Sequence, residues 1–223
     1  MGFYTSMLVL IPAIIFGMWA QYKVKSTFEG YSKIRSKTGM TGSELARKLL
    51  DDNGLSAINV VKVGGNLTDH YDPGKRKVGL SNATYDSDSV AALGVVAHEI
   101  GHAIQHKNGY FPLTFRNAIA PVAQFGSQFC WVIFIAGIFL SMPVLIDVGI
   151  WLFVLVAIFS VITLPVEFNA SSRALEMVRA NIAMDAQETE MVRRVLTAAA
   201  MTYVASTLMA ILQLIRMLMI RRD

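Results

Sequence analysis

The stretch VVAHEIGHAIQH, residues 95–106, sets His98 and His102 four residues apart with Glu99 between them. On a helix this spacing puts both imidazoles on one face, one turn and about 6 Å of rise apart. Two imidazoles so placed can converge on one Zn²⁺ through bonds of roughly 2.0 to 2.1 Å. Glu99 stands beside the first of them and can reach a water on such an ion as general base. Zinc lowers the pKa of that water toward about 7, so a carboxylate can take its proton at neutral pH. A histidine pair packed for structural reasons is the competing reading. The uncommon residues of HEIGH at this spacing favour the metal.

A catalytic zinc site needs three protein ligands and an open position. His106 continues the four-residue ladder but lies about 12 Å of helical rise from His98, too far to share the ion. Gln105 occupies the position where the metzincin pattern needs its turn glycine. The single cysteine, Cys130, sits in an apolar run and reads as a small buried hydrophobe. The third ligand is therefore expected to be a carboxylate from elsewhere.

Which carboxylates can meet the motif depends on the membrane. Hydrophobic residues make up 54% of the 223 and charged residues 16%, and the mean hydropathy is +0.47. That is too apolar for an ordinary soluble domain and points to an integral membrane protein. A formal net charge of +4 is too modest to argue for nucleic acid. Four stretches are long enough to span a bilayer: residues 3–20, 117–146, 148–166 and 196–220. The first lacks the basic start and cleavage site of a signal peptide and reads as a retained anchor. Pro121 suits a helix start and Pro143 a helix end. In the last stretch Ala198, Thr202, Ser206 and Ala210 form a small-residue stripe that would let another helix approach closely.

Lys23, Lys25, Lys33, Arg35, Lys37, Arg47 and Lys48 follow the first span, so the polar region 21–116 is expected on the cytoplasmic side. Spans two and three, 117–166, form a hairpin whose tip faces out. The segment 167–195 returns to the cytoplasmic side with Arg173, Arg179, Arg193 and Arg194. The last segment, 196–223, then carries Arg221 and Arg222 to the wrong side. Either it crosses against the charge rule or it lies partly in the interface. Glu167 leaves the third span on the same expected side as the histidines. Its position favours it over Glu176, Asp185, Glu188 and Glu190.

Within the polar region, TGSELARKLLDDNGL reads as a helix capped near Thr41 or Ser43 and stopped by Gly54. AINVVKV is β-branched and short, and a Pro-Gly turn precedes a second candidate strand over 77–81. A cap among Asp86 to Asp88 opens the histidine helix and Gly109 closes it. The fold expected is a mainly α membrane protein of about four transmembrane helices with a small cytoplasmic α+β region.

Four segments, TGSELARKLLDDNGL, LTDHYDPGKRKVGLS, AHEIGHAIQH and PVEFNASSRAL, mark a resemblance that covers most of the chain, the last two being the specific ones. On these the sequence closely resembles the bacterial YugP-type membrane zinc metallopeptidases. It is more distantly similar to HtpX and the CAAX prenyl proteases. The resemblance implies a zincin-like, gluzincin-type site: His98, His102 and Glu167 on one Zn²⁺, with Glu99 as base and proton shuttle. In HtpX-like enzymes the glutamate ligand is followed by an alanine and an acid that orients a ligand histidine. Ala170 matches, but Ser171 stands in the acid's place, which leaves that role to Asn169 or another group. His70, Tyr71 and Arg173 are candidate oxyanion donors. By analogy with related enzymes, the strand over 77–81 is an edge strand that pairs with extended substrate.

The resulting expectation is a multi-pass cell-membrane endopeptidase, with its site on the cytoplasmic side. Its partners would be protein or peptide substrates and the bilayer, no nucleic acid, with a second copy or another membrane protein left open. An intramembrane protease is the rival within the class, but only residues 90–97 precede the motif as an apolar run, too few to span. A non-cleaving membrane scaffold is the rival from another class, supported by Ser171 alone. The intact Glu99 argues against it.

Overall fold

The computed structural model describes residues 3–182 and 184–222. Met1, Gly2, Ala183 and Asp223, which the expected segments 1–20, 167–195 and 196–223 include, lie outside the described residues. The elements are mostly helical and run α1 (Phe3–Leu8), α2 (Ile11–Tyr31), α3 (Gly42–Asp52), β1 (Asn59–Val63), β2 (His70–Asp72), β3 (Lys77–Ser81), α4 (Asn82–Tyr85), α5 (Val90–Lys107), α6 (Phe111–Phe139), α7 (Pro143–Asn181) and α8 (Ala186–Arg221). Four helical stretches are long and apolar enough to cross a membrane: Ser6–Tyr31, Phe111–Phe139, Pro143–Ala180 and Ala186–Arg221. The chain divides into two compact units.

One unit takes residues up to Gln21, Phe111–Val166 and the chain from Met201 onward. Its buried cluster is Cys130, Phe134, Ile150, Phe153 and Met217. The α6–α7 hairpin closes on glycines. A Cβ at Gly126 would lie 2.9 Å from the Leu152 carbonyl oxygen, and one at Gly149 would lie 2.7 Å from the Phe134 Cβ. Close backbone approach of this kind is how membrane helices gain packing where lipid offers no hydrophobic drive. Pro121 lies inside α6 rather than at its start, and Pro143 opens α7 rather than closing α6. A first-turn proline loses no helical hydrogen bond, which explains the second placement. The expected small-residue stripe of α8 is only partly packed: Ala198 and Ala210 are buried while Ser206 is exposed. Thr207 instead donates its hydroxyl to the Ser160 carbonyl, 3.1 Å away, and ties α8 to α7. Arg221 donates to Asp147 at 2.9 Å, so α8 ends beside the hairpin tip. The basic end of α8 thus meets an acidic partner there.

The other unit takes Tyr22–Tyr110 and Glu167–Ala200. Thr41 caps α3 in a capping box: Glu44 N–H donates to Thr41 Oγ1, and Thr41 N–H donates to Glu44 Oε2 at 2.8 Å. Leu45, Ala46, Leu49 and Leu50 form its buried face, and Gly54 beyond it adopts a left-handed φ of 64°. The three strands make one mixed sheet of order β1-β3-β2. β1 runs parallel to β3 with Asn59 opposite Lys77, and β2 runs antiparallel with His70 opposite Gly79. β3 is therefore central, which corrects the expectation that it offers a free edge. The free edges belong to β1 and to β2, a short polar strand that hydrophobic patterning does not reveal.

Ser89, one residue beyond the expected cap, opens α5 by accepting the Ala92 N–H at 3.2 Å. The helix is buried on nearly every side, as its alanine- and glycine-rich sequence allows, and is not among the spans. Its core neighbours include Leu45, Leu49, Leu80, Val178 and Val192. α7 and α8 do not stop where apolar sequence gives way to charge. α7 has 39 residues and passes unbroken through Glu167, which at 1.5 Å per residue is about 58 Å, against a hydrocarbon core of about 30 Å. Leu49 is fully buried in the core that seats α5. Leu49→Ala should destabilise this unit by about 2–5 kcal/mol, read as a lowered melting temperature of the detergent-solubilised protein.

Candidate metal centre

α5 and α7 bring His98, His102 and Glu167 together. His98 Nε2 lies 3.2 Å and His102 Nε2 3.5 Å from Glu167 Oε2. One ligand atom from each residue falls within 4.8 Å of the others. A tetrahedral ion with bonds near 2.1 Å has ligand-to-ligand edges of about 3.4 Å, so these two separations match the edges of such a site. Two imidazole nitrogens and a carboxylate oxygen also form a donor set suited to zinc. The imidazoles stand nearly perpendicular, at 85°, with centroids 4.7 Å apart. The three side chains are 14%, 12% and 5% exposed, shielded yet with some solvent access.

The meeting rests on a glycine. A Cβ at Gly101 would lie 2.6 Å from the Ala170 carbonyl oxygen, inside contact distance of α7's backbone. Without a side chain there, α5 comes close enough for both histidines to reach Glu167.

Neighbouring groups hold the rings. Ser171 Oγ lies 3.2 Å from His98 Nδ1, so the residue in the acid's expected place keeps a hydrogen bond to that imidazole. Gln105 Oε1 lies 3.0 Å from His102 Nδ1, and Gln105 is fully buried. Gln105 Nε2 donates to Asn169 Oδ1 at 3.0 Å, and Arg173 Nε donates to the same oxygen at 2.8 Å. Sequence reading did not find the roles of Gly101 and Gln105. The available signal was spacing: Gln105 follows His102 by three residues and Arg173 follows Asn169 by four, each on one helix face.

Glu99 is buried beside this cluster, at 9% exposure. Burial alone would lower the His102 pKa, but the Glu167 hydrogen bond and the charges of Glu99 and Glu167 outweigh it and raise the value. A proton and a cation therefore compete for His102, and lower pH favours the proton.

The other candidates have partners of their own. Exposed His106 shares a 2.9 Å hydrogen bond with the Tyr71 hydroxyl. Burial raises the Tyr71 pKa, which keeps the phenol neutral. His70 Nδ1 lies 2.9 Å from the Thr68 carbonyl. Arg173 is committed to Asn169. Among the competing carboxylates, Glu176 is exposed, Asp185 and Glu188 cap each other's backbone at the start of α8, and Glu190 pairs with Arg193 and Arg194.

A helix-borne histidine pair and a glutamate from a second helix, in a chain with four helices apolar enough to span a bilayer, define a membrane protein with a candidate zinc centre. The chain belongs to the family described as "Putative neutral zinc metallopeptidase", which it matches over residues 6–222. It is 46% identical over 210 residues to the "Putative membrane protease YugP" of Bacillus subtilis (strain 168), covering 94% of this chain and 93% of that protein. No solved structure matches it significantly.

Gly101→Ala forces a methyl group against the α7 backbone. It should cost about 1–3 kcal/mol of stability through overpacking and weaken zinc binding, both measurable on the purified protein. Full zinc affinity in this variant would show that the helix spacing does not govern the site.

Proposed function

We propose that the chain is a membrane-embedded zinc endopeptidase that hydrolyses membrane or unfolded proteins at the cytoplasmic face. The observation that carries this reading is the convergence of His98, His102 and Glu167 beside Glu99, in a family of this description. In this gluzincin-type arrangement His98, His102 and Glu167 hold one Zn²⁺. The bound ion supplies Lewis acidity to the scissile carbonyl and to the attacking water.

The chain's own residues do the rest. Glu99 accepts a proton from the water as its oxygen forms the new bond to the carbonyl carbon. The same carboxylic acid then gives that proton to the amide nitrogen as the C–N bond breaks, so the leaving group departs as a neutral amine. Ser171 and Gln105 contact the Nδ1 atoms of the two imidazoles and hold the rings with Nε2 toward Glu167. The low exposure of the ligands limits bulk water, which strengthens the Glu99 proton transfers.

The cytoplasmic assignment is supported by Lys23, Lys25, Lys33 and Arg35 on the segment entering this unit and by Arg173, Arg179, Arg193 and Arg194 on its second segment.

Glu99→Gln should retain zinc and lose roughly 10²- to 10⁴-fold in peptide cleavage; unchanged proteolysis removes Glu99 from the reaction. Glu167→Ala should leave the purified protein substoichiometric in zinc by metal analysis, and full occupancy assigns the third ligand elsewhere. For the membrane side, Asn66→Cys in a Cys130→Ala background should react in intact cells with a membrane-permeant thiol reagent only. Labelling by an impermeant reagent would put the site outside.

A further inference from the structure

We infer that Arg173 is a positioning residue that selects the metal-binding tautomer of His102 through a relay of two side-chain amides. The inference rests on the zinc reading of the site and extends it to a residue outside the proposed ligand set.

The relay can be read without deciding in advance which amide atom is nitrogen. A guanidinium has donors and no acceptor. Arg173 Nε lies 2.8 Å from one amide atom of Asn169, so that atom must be the oxygen. The same oxygen lies 3.0 Å from an amide atom of Gln105. Its two lone pairs accept both donors, so Gln105 must present its NH₂ there. The oxygen of Gln105 is then left facing His102 Nδ1 at 3.0 Å. An amide oxygen only accepts, so Nδ1 carries the ring proton and the Nε2 lone pair is open toward Glu167 Oε2, 3.5 Å away. Turning Asn169 over would set donor against donor at Arg173, and turning Gln105 over would set its oxygen against the Asn169 oxygen, at a cost. Gln105 is fully buried, so solvent does not relieve that cost.

His98 is held differently. The Ser171 hydroxyl can donate or accept, so its 3.2 Å contact fixes where the ring sits without choosing a tautomer. With a serine in the acid's place, the directional information reaches the site along α7 and α5 through Arg173, Asn169 and Gln105. Arg173 and Asn169 are one turn apart on α7, and Gln105 is three residues beyond His102 on α5, so all three are in place as soon as the helices pack.

The test is zinc affinity of the full-length detergent-solubilised protein, by competition with a chromophoric chelator, on variants that separate direction from support. Arg173→Met removes the donor that orients the relay and should weaken zinc binding about 10- to 100-fold, the usual effect of losing a partner behind a ligand. Arg173→Lys keeps a donor-only group and should stay near the parent. Arg173→Met with Asn169→Asp is the decisive variant. A carboxylate at 169 accepts only, so it orients Gln105 without the arginine and should return affinity toward the parent value. A purely structural arginine would not be replaced by an acid that lacks its partner. Parent-like affinity in Arg173→Met, or a double variant as weak as the single, overturns the inference while the zinc site itself stands. A parent protein that binds no zinc overturns both.

Discussion

The site depends on how close two helices can come. Gly101 has no side chain where α5 meets the Ala170 carbonyl of α7, and a methyl group there would sit 2.6 Å from that oxygen. Each histidine reaches only a few ångströms from its helix axis. A spacing wider by one methyl group would separate Glu167 from both imidazoles by more than the edge of a four-coordinate ion. The fully buried side chains of the second unit, Leu45, Leu49, Leu93 and Ile100 among them, press α5 into that position.

Bringing a carboxylate and two imidazoles out of water is unfavourable unless a charge or hydrogen bonds answer them. Glu167 is 4% exposed, and the groups behind the imidazoles are a hydroxyl and an amide rather than acids. The charge of Glu99 is also felt by the His102 imidazole. The cluster is therefore rich in acceptor capacity, an environment that a divalent cation satisfies. The Arg173 guanidinium stands two side chains away from His102, beyond Asn169 and Gln105.

The long helices link these requirements to the membrane. α7 and α8 continue from apolar sequence into charged sequence without a break. The Asp147–Arg221 pair locates the end of α8 beside the start of α7. It gives the basic end of α8 an acidic partner.

Much of this was legible in the sequence because it is local. The four-residue histidine spacing, the Thr41 capping box, the Gly54 and Gly109 stops, the apolar spans and the β-branched run of β1 all follow from periodicity and turn chemistry. The family resemblance came from the same short segments. What the sequence could not supply was distance between elements. Glu167 could be preferred by position, but its 3.2 Å approach to His98 is a property of α5 against α7. β3 looked like an edge because β2, only His70–Asp72, has too few residues to show alternation, and the sheet places it on β3's open side. Pro121 and Pro143 were ambiguous because proline is tolerated at a helix start and, in a packed hairpin, inside one. Gly101 and Gln105 looked unremarkable for a plain physical reason. A missing Cβ or an amide acquires meaning only when tertiary packing puts another backbone or another amide against it.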